Sequence, residues 1–501
     1  MKRIFVFILS IFLISNIASA SIFHQTKAGF CDDKTIWLEN TVPTENDELF
    51  LNNFLSCDKK FKKITFETSN NIYGNYKADV IEIPENVEIS AGLEVSWPHN
   101  IRELNIETEK FINKGKILKN TKLKINGNLI NYGKIEIPAC FEFTKNDSYF
   151  VNQDNQDICL DFKDNKIKEF SFYGQGSENI SLHLYDTPEI YFKNSLKLKS
   201  IYSNKNQQIV LDENKIFWVD TMSSNEWNFS NQNKIILNKN TYSYSNNLQL
   251  LAENSDLYIL DNVSTKLKIK AKNIFVKSGA QLTVFDKGIV EAENIYIEKG
   301  GEVRLSGNNV SKPTVRGKIY NYGKISISSN YSWIIGELNN FGEINRSHTT
   351  YDRINLELSK LFNYSEGKIL IPKTYLSNPN NQKIQIFNQG EISRIEAENY
   401  DIEILNNSIT NFLINTKNLY LNQDFNFTNR VFVENIYSID NQIHKIQSND
   451  YLSLNNAPNY HIFVNSERGV DFKNEKPEYQ SITFLKDNNN PVYGVVFQKY
   501  I

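Results

Sequence analysis

Residues 271–284 read AKNIFVKSGAQLTV, and residues 292–305 read AENIYIEKGGEVRL. The two stretches align residue for residue at an offset of 21 residues. In each, apolar and polar residues alternate, a glycine (Gly279 or Gly300) interrupts the alternation, and the alternation then resumes. Alternation with a period of two is typical of a β-strand, and a fixed repeat period is typical of a solenoid. The pair therefore predicts strand, turn and strand, repeated once per coil.

A second repeat has the form G-x-[LI]-x-N-[YF]-G-x-I. It occurs at Gly127–Ile135, Gly317–Ile325 and Gly336–Ile344, with looser copies at 112–117, 362–369 and 387–392. Its variable spacing fits a coil with one corner of adjustable length. We expect the Asn and Gly to supply positive φ angles at that corner. We also expect Asn residues in register to form a ladder of hydrogen bonds from coil to coil.

The composition agrees with a protein of strands and turns. The chain of 501 residues has 70 Asn, 21 Gly and 11 Pro and is rich in Ile, Tyr and Phe, although codon bias of an AT-rich genome could contribute to this. We predict an all-β fold, a single elongated right-handed parallel β-helix with terminal caps. The predicted regions are an N-terminal cap at 21–61, the helix with irregular loops at 62–454, and a C-terminal cap or anchoring segment at 455–501.

The N-terminus has the pattern of a secretory signal peptide. Lys2 and Arg3 precede an apolar stretch, and Ala18-Ser19-Ala20 has the small-x-small form of a cleavage site. We expect residues 1–20 to be removed, and no later segment has the length of uncharged apolar sequence that a spanning helix needs. The protein is therefore predicted to be secreted or at the cell surface, with the periplasm as the alternative.

The net charge of −3 and the absence of a basic stripe argue against a nucleic-acid partner. The sequence has no phosphate-binding loop, dinucleotide-binding turn or G-x-S-x-G elbow. No cofactor is predicted, and the oligomeric state cannot be derived from these patterns.

Four cysteines, Cys31, Cys57, Cys140 and Cys159, form an even set in an exported chain. Three pairings are possible, and we favour the two that are local in sequence, Cys31 with Cys57 and Cys140 with Cys159. The alternative is four reduced, buried thiols, which export through an oxidising compartment disfavours.

The densest acidic run contains Asp154, Asp157, Asp161 and Asp164, interleaved with asparagines. Oxygen ligands at this spacing could hold calcium. The alternative is a solvated loop near Cys159. The run lacks the glycine and terminal glutamate of an EF-hand, and no His or Cys cluster suggests zinc.

Ser181 and His183 lie on the same face of a strand predicted at 180–186, opposite Ile180, Leu182 and Leu184. A Ser and a His together can suggest nucleophilic catalysis. We interpret them as the outward polar face of an amphipathic strand, since the sequence specifies no acid to orient the histidine.

Four aromatic residues in the Asn-rich middle of the chain, Trp218, Trp227, Tyr242 and Tyr244, could contact a glycan by stacking on sugar rings. Stacking inside the core is the simpler alternative.

The Gly-x-Leu-x-Asn-x-Gly-x-Ile unit resembles the coils of bacterial right-handed β-helix proteins of the filamentous-haemagglutinin and autotransporter-passenger kind. The resemblance covers Ile112–Ile137 and about Leu267–Ile392. The run Thr35-Ile36-Trp37, followed by Pro43 and 47–51, also resembles the start of the first coil in exported β-helix proteins. Proteins with such coils include adhesins, polysaccharide lyases and phage tailspikes, so the resemblance implies the fold and leaves the activity open.

Two functions follow as hypotheses. The first is a non-enzymatic adhesin-like or surface structural protein that presents its flank to a glycan or a protein. The second is a polysaccharide lyase or glycoside hydrolase on the same scaffold, which would require like-charged side chains stacked over successive coils. The aligned outward pairs Lys277 with Glu298 and Gln281 with Glu302 do not match in charge. This comparison favours the first hypothesis.

Overall fold

The structure is a computed structural model with two compact units, Met1–Asn233 and Lys234–Ile501. It describes residues 20–72, 74–90, 104–118, 123–135, 140–144, 148–152, 158–162, 169–173, 180–184, 189–192, 195–203, 206–222, 226–238, 249–307, 312–347, 353–378, 380, 382–405, 408–439, 444–448, 452–454, 462–466, 470–472, 482–487 and 490–497. Nearly all of the predicted signal peptide lies outside these residues. Among them, no helix is long and apolar enough to cross a bilayer.

The first unit contains one 3₁₀ helix, Lys34–Ile36, among its described residues, and the remaining elements are strands. The strands are β1 (Ile22–His24), β2 (Gly29–Phe30), β3 (Glu48–Leu51), β4 (Leu55–Ser56), β5 (Lys60–Phe66), β6 (Asn70–Asn71), β7 (Gly74–Ile83), β8 (Glu88–Ser90), β9 (Leu104–Asn113), β10 (Lys116–Ile117), β11 (Leu123–Asn126), β12 (Leu129–Asn131), β13 (Lys134–Ile135), β14 (Cys140–Phe143), β15 (Ser148–Asn152), β16 (Ile158–Phe162), β17 (Glu169–Tyr173), β18 (Ile180–Leu184), β19 (Glu189–Phe192), β20 (Leu196–Ser203), β21 (Gln207–Leu211), β22 (Ile216–Met222) and β23 (Glu226–Phe229).

Strands of this unit pair in parallel with the equivalent strands of neighbouring coils. β1, β3, β5, β7 and β9 form one continuous stack. After β9 the stack divides, because β11 pairs with the first half of β9 and β12 with its second half. A separate four-stranded sheet, in the order β13-β10-β8-β6, forms a further side of the coils. Each coil thus turns around an apolar interior.

The end of the first strand, β1, is covered on the side away from β3. On the side away from β3, the backbone N–H of Leu38 donates to His24 O (2.9 Å) and that of Thr26 donates to Ile36 O (2.7 Å). The predicted disulfide between Cys31 and Cys57 is present, with a Cα–Cα distance of 5.4 Å. An edge strand whose hydrogen-bonding groups are occupied cannot readily add a strand from another molecule.

The second unit begins at Lys234 and is also built of strands. They are β24 (Lys234–Leu237), β25 (Gln249–Ile259), β26 (Val263–Thr265), β27 (Lys268–Val276), β28 (Gln281–Phe285), β29 (Ile289–Ile297), β30 (Glu302–Ser306), β31 (Thr314–Asn321), β32 (Lys324–Ser328), β33 (Trp333–Asn340), β34 (Glu343–Arg346), β35 (Arg353–Asn363), β36 (Lys368–Ile369), β37 (Lys373–Ser377), β38 (Ile384–Asn388), β39 (Glu391–Ile392), β40 (Arg394–Ile404), β41 (Leu413–Leu421), β42 (Phe425–Phe427), β43 (Val431–Ser438), β44 (His444–Ser448), β45 (Leu452–Leu454), β46 (Ile462–Ser466), β47 (Val470–Phe472), β48 (Ile482–Asp487) and β49 (Asn490–Phe497).

In this unit, residues that are equivalent in the sequence repeat lie opposite each other on paired strands. β27 pairs in parallel with β29, so that Ile274 lies opposite Ile295. The next strands, β28 and β30, pair in the same way, with Leu282 opposite Val303. The offset of 21 residues in the sequence is therefore the length of one coil. The predicted all-β fold, a parallel β-helix of the right-handed type, is confirmed.

The end of the second unit departs from this pattern. β49 pairs antiparallel with both β46 and β48. The last strand is thus paired on both sides, and β48 forms the edge of that sheet. The predicted cap boundaries stay predictions.

The asparagine of the N-[YF]-G unit forms the predicted ladder inside the coils. Asn321 Nδ2 donates to Asn340 Oδ1 (2.8 Å), Asn340 Nδ2 donates to Asn363 Oδ1 (2.7 Å), and Asn363 continues to Asn388 (2.7 Å). All four side chains are fully buried. The ladder satisfies amides that would otherwise be expensive to bury.

The expectation that this asparagine takes a positive φ is wrong. Each of the four ladder residues is the last residue of an extended strand, and the non-glycine residues with positive φ in the described chain are Asn40, Asn214 and Asp286. The glycine two positions later is needed for another reason. A Cβ at Gly342 would lie 2.1 Å from the carbonyl oxygen of Gly323 in the previous coil. Glycine therefore allows two corner backbones to approach each other.

Replacing Asn340 with Ala should lower the free energy of unfolding by about 3 kcal/mol. The buried Asn363 Oδ1 would lose its donor, and Asn321 Nδ2 would keep only its long hydrogen bond to Glu343 O (3.3 Å). Asn294→Ala is the control: its half-exposed amide donates to Asn273 Oδ1 (2.9 Å), and we expect a loss of about 1 kcal/mol. Urea unfolding measures both. Equal losses would contradict a structural role for the buried ladder.

Two glycine substitutions separate close approach from backbone conformation. Gly342→Ala should cost about 3 kcal/mol, because the coils must move apart. Gly279→Ala has no heavy atom within 4 Å of the new Cβ but has a φ of +81°, so it should cost about 1 kcal/mol from backbone strain alone. Thermal unfolding of the two variants gives the comparison, and a larger loss for the Gly279 variant would refute this explanation.

Candidate binding surface

Most of the predicted calcium ligands lie outside the described residues. Asp154, Asp157 and Asp164 belong to this group, and Asp161 is described only in its backbone, within β16. The calcium site stays a prediction. Among the described residues, no group of three His, Cys, Asp or Glu side chains could hold a metal ion.

The second predicted cysteine pair falls on paired strands. β14 and β16 are neighbours in the parallel stack, and Cys140 lies directly opposite Cys159. Neighbouring strands are about 4.8 Å apart, within the Cα separation that a disulfide requires. The side chains of both cysteines lie outside the described part of the structure, so this disulfide stays a prediction that the backbone register favours.

The four aromatic residues predicted to contact a glycan differ in burial and in whether the structure describes them. Trp227 is a core residue with 0% of its surface exposed, so its ring is not available to a sugar. Trp218 is half-buried on β22, and Lys197 Nζ lies 5.3 Å from its ring centroid. Tyr242 and Tyr244 lie outside the described residues. These positions therefore do not form a described site.

Ser181 has the neighbours expected of an outward polar strand. The hydroxyl of Ser200, its partner in the next coil, donates to Ser181 Oγ (2.8 Å). The backbone of His183 lies opposite Tyr202, and the side chain of His183 is not described. Ser181 thus takes part in a coil-to-coil hydrogen bond.

The feature that sequence reasoning missed is a strip of stacked rings on the outer face of the second unit, here called the aromatic strip. One column contains Tyr258, Phe275, Tyr296 and Tyr320, with ring centroids 4.6, 5.0 and 4.9 Å apart. A second column contains Tyr322, Phe341 and Tyr364, with centroids 4.6 and 3.9 Å apart. Neighbouring planes within the columns are inclined by at most 13°.

Strand register places these rings. Phe275 lies opposite Tyr258 on one side and Tyr296 on the other. Tyr320 lies in β31 and Tyr322 in the bend that follows it, and both are close enough to Tyr296 to raise its pKa. The signal was present in the sequence, since the quoted repeats have Phe and Tyr at equivalent positions and the second repeat has Tyr or Phe before its glycine.

Stacking determines what the strip can bind. Within a column each ring covers the face of the next ring, so that ring edges and phenol hydroxyls are the groups left toward solvent. Lys234 Nζ lies 4.3 Å from the Tyr258 ring centroid, at the end of the first column. Most of these rings are half-buried, whereas Tyr322 is 47% exposed. The strip offers rigid apolar area with polar tips, rather than flat platforms for sugar rings.

Two phenols of the strip, those of Tyr258 and Tyr296, have a raised pKa and are therefore neutral donors at neutral pH. Burial, together with the negative charge of Asp256, raises the pKa of Tyr258. Burial also raises the pKa of Tyr296. The hydrogen bond with Tyr320 raises the pKa of Lys318, which therefore stays charged beside the strip.

Three outward carboxylates of this unit, Glu291, Glu298 and Glu302, are paired with neighbours in adjacent coils. Lys277 forms an ion pair with Glu298, and Gln281 Nε2 donates to Glu302 Oε2 (2.8 Å). These are the two pairs whose unequal charges argued against an enzyme. Burial raises the pKa of Glu291, but the hydrogen bond and charge of Lys268 (3.0 Å) lower it overall.

Every described carboxyl group whose pKa is shifted has a lowered pKa. These groups are Asp33, Asp47, Glu82 and Glu291. A general acid in glycoside cleavage needs the opposite shift.

Comparisons of the chain with protein-family models, with curated proteins and with solved structures gave no match.

The register of β14 and β16 leads to a chemical prediction. Digestion of the unreduced, alkylated protein should yield a peptide pair that links Cys140 to Cys159 and that disappears after reduction. The Cys31–Cys57 pair serves as the internal control. Mass spectrometry that finds both Cys140 and Cys159 alkylated, with the control pair intact, would show that these two thiols are free.

Proposed function

We propose that the chain is an exported, adhesin-like binding protein that presents the flank of its second unit to a glycan or a protein on another surface. The observation that carries this proposal is the aromatic strip, in which stacking fixes seven half-exposed or exposed rings before any partner arrives. Tyrosine supplies large contact area at a low entropic cost. Pre-organised aromatic surface of this kind is typical of binding hot spots.

The finer features of the proposal come from the sequence. Export rests on the signal-peptide pattern of residues 1–20, with secretion or surface location as its result and the periplasm as the alternative. Similarity to filamentous haemagglutinins and autotransporter passengers rests on the N-[YF]-G repeat. A flank of stacked rings suits a protein that presents the side of a solenoid to another surface.

The enzyme alternative has less support. Outward carboxylates such as Glu298 and Glu302 are occupied by hydrogen bonds to adjacent coils. The lowered pKa of Glu291 keeps that group ionised at neutral pH. A lyase or hydrolase would instead require an unoccupied acid or base facing a cleft.

The test measures retention and chemistry together. The purified chain is applied to immobilised acidic and neutral polysaccharides and to immobilised glycoproteins, and soluble polysaccharides are scored for reducing or unsaturated ends. We expect retention without product, and Tyr322→Ala should weaken it about tenfold through loss of the most exposed ring. Tyr375→Ala is the matched control, since Tyr375 is 37% exposed in the same unit but lies outside the strip.

Release of sugar ends would refute the non-enzymatic proposal. Equal retention of the Tyr322 and Tyr375 variants would show that the strip is not the binding surface.

A further inference from the structure

The first unit has a shallow groove on its outer face, with a volume of about 320 Å³. Its walls come from β7, β9 and β11 and from the residue after β14, so it crosses four successive coils. A groove of this size is at the lower end of ligand sites.

The groove is lined by two columns of polar side chains that follow the strand register. The first column is Asn75, Asn105 and Lys124, and the second is Lys77, Glu107, Asn126 and Thr144. Between the columns the alternate residues point inward, as Tyr76 and Ile106 do, each 2% exposed. We refer to these seven polar residues as the polar groove.

Charges in the groove are compensated. Lys77 Nζ lies 3.2 Å from Glu107 Oε2, and Lys124 Nζ lies 3.8 Å from an oxygen of Glu142. A site whose charges cancel gains little from a polyanion or a polycation. It favours a ligand that is itself uncharged.

Amide groups in the groove retain capacity for hydrogen bonds. Asn105 Nδ2 donates to Asn75 Oδ1 (2.9 Å), which leaves the amide nitrogen of the exposed Asn75 available. Asn126 is exposed, and its side chain makes no hydrogen bond within the described part of the chain. An amide both donates and accepts, so it can bind neighbouring hydroxyls of a sugar.

The backbone geometry disfavours a peptide in this place. An extended peptide is usually bound by main-chain pairing at a sheet edge. The polar groove lies on a sheet face, where the backbone groups of β9 are already engaged by β7 and β11. Recognition here has to come from side chains.

We infer that the polar groove of the first unit binds an uncharged, hydroxyl-rich glycan chain that runs across the coils. Adjacent coils are about 4.8 Å apart, which is close to the length of one sugar ring, so successive sugars meet successive rows of side chains. This site is additional to the aromatic strip. It rests on the proposed function only in treating the chain as a binding protein.

Affinity electrophoresis through gels that contain mannan, dextran or xylan tests the inference, with heparin and polygalacturonate as charged probes. The double variant Asn75→Ala/Asn126→Ala should bind at least one neutral glycan about tenfold less tightly, through two lost hydrogen-bonding groups. Both side chains are exposed and only the hydrogen bond from Asn105 to Asn75 is lost, so the melting temperature should fall only slightly. Asn426→Ala is the matched control, because Asn426 is an exposed strand asparagine without a side-chain hydrogen bond among the described residues.

The outcomes separate this inference from the proposed function. Weakened binding in the double variant alone supports the groove. Neutral-glycan binding that persists in the double variant but is lost with Tyr322→Ala would overturn the groove and leave the proposed function intact. Binding of the charged probes only would also overturn it, since the inference commits to an uncharged ligand.

Discussion

Coil-to-coil register is the constraint on which the rest of the structure depends. Every residue in a coil has the equivalent residue of the next coil about 4.8 Å away, so each position must hold a side chain that tolerates a close copy of itself. Inside the coils, apolar side chains meet this condition, and so does asparagine, whose amide donates to one neighbour and accepts from the other. Corners where two backbones nearly touch require glycine, as at Gly342.

The same constraint shapes the outer surface. Aromatic rings in register stack face to face, as Phe275 does between Tyr258 and Tyr296. Charged residues of opposite sign can pair between coils, as Lys277 does with Glu298. Exposed pairs of this kind add little stability individually, but they fix side-chain positions along the flank. A surface that is already ordered loses less entropy when a partner binds.

The sequence predicted the fold to the level of individual pairs where the repeat is regular, because an offset of 21 residues is itself the register of Ile274 and Ile295. The prediction from sequence failed where one residue type can occupy two different structural positions. Asparagine suits both a left-handed turn and a buried ladder, and only the neighbouring coil decides between them. It also missed the aromatic strip, because an outward column becomes visible only when successive coils are aligned across corners of unequal length.

Side chains that form hydrogen bonds, ion pairs or ring stacks with neighbouring coils are not available to a partner. This surface can therefore recognise a partner only at positions where such pairing between coils stops. In one column of the polar groove, Lys77 and Glu107 form an ion pair with each other. Asn126, the next residue of that column, makes no side-chain hydrogen bond among the described residues. Tyr322 is the first ring of its column and the most exposed ring of the strip. The buried asparagine ladder also stops in this way. Asn321 is its first residue, because the residue opposite it in the previous coil is Ile297, and Asn321 Oδ1 has no hydrogen-bond partner among the described residues. The positions at which pairing stops, such as Asn126 and Tyr322, are therefore where this fold has side chains available for binding.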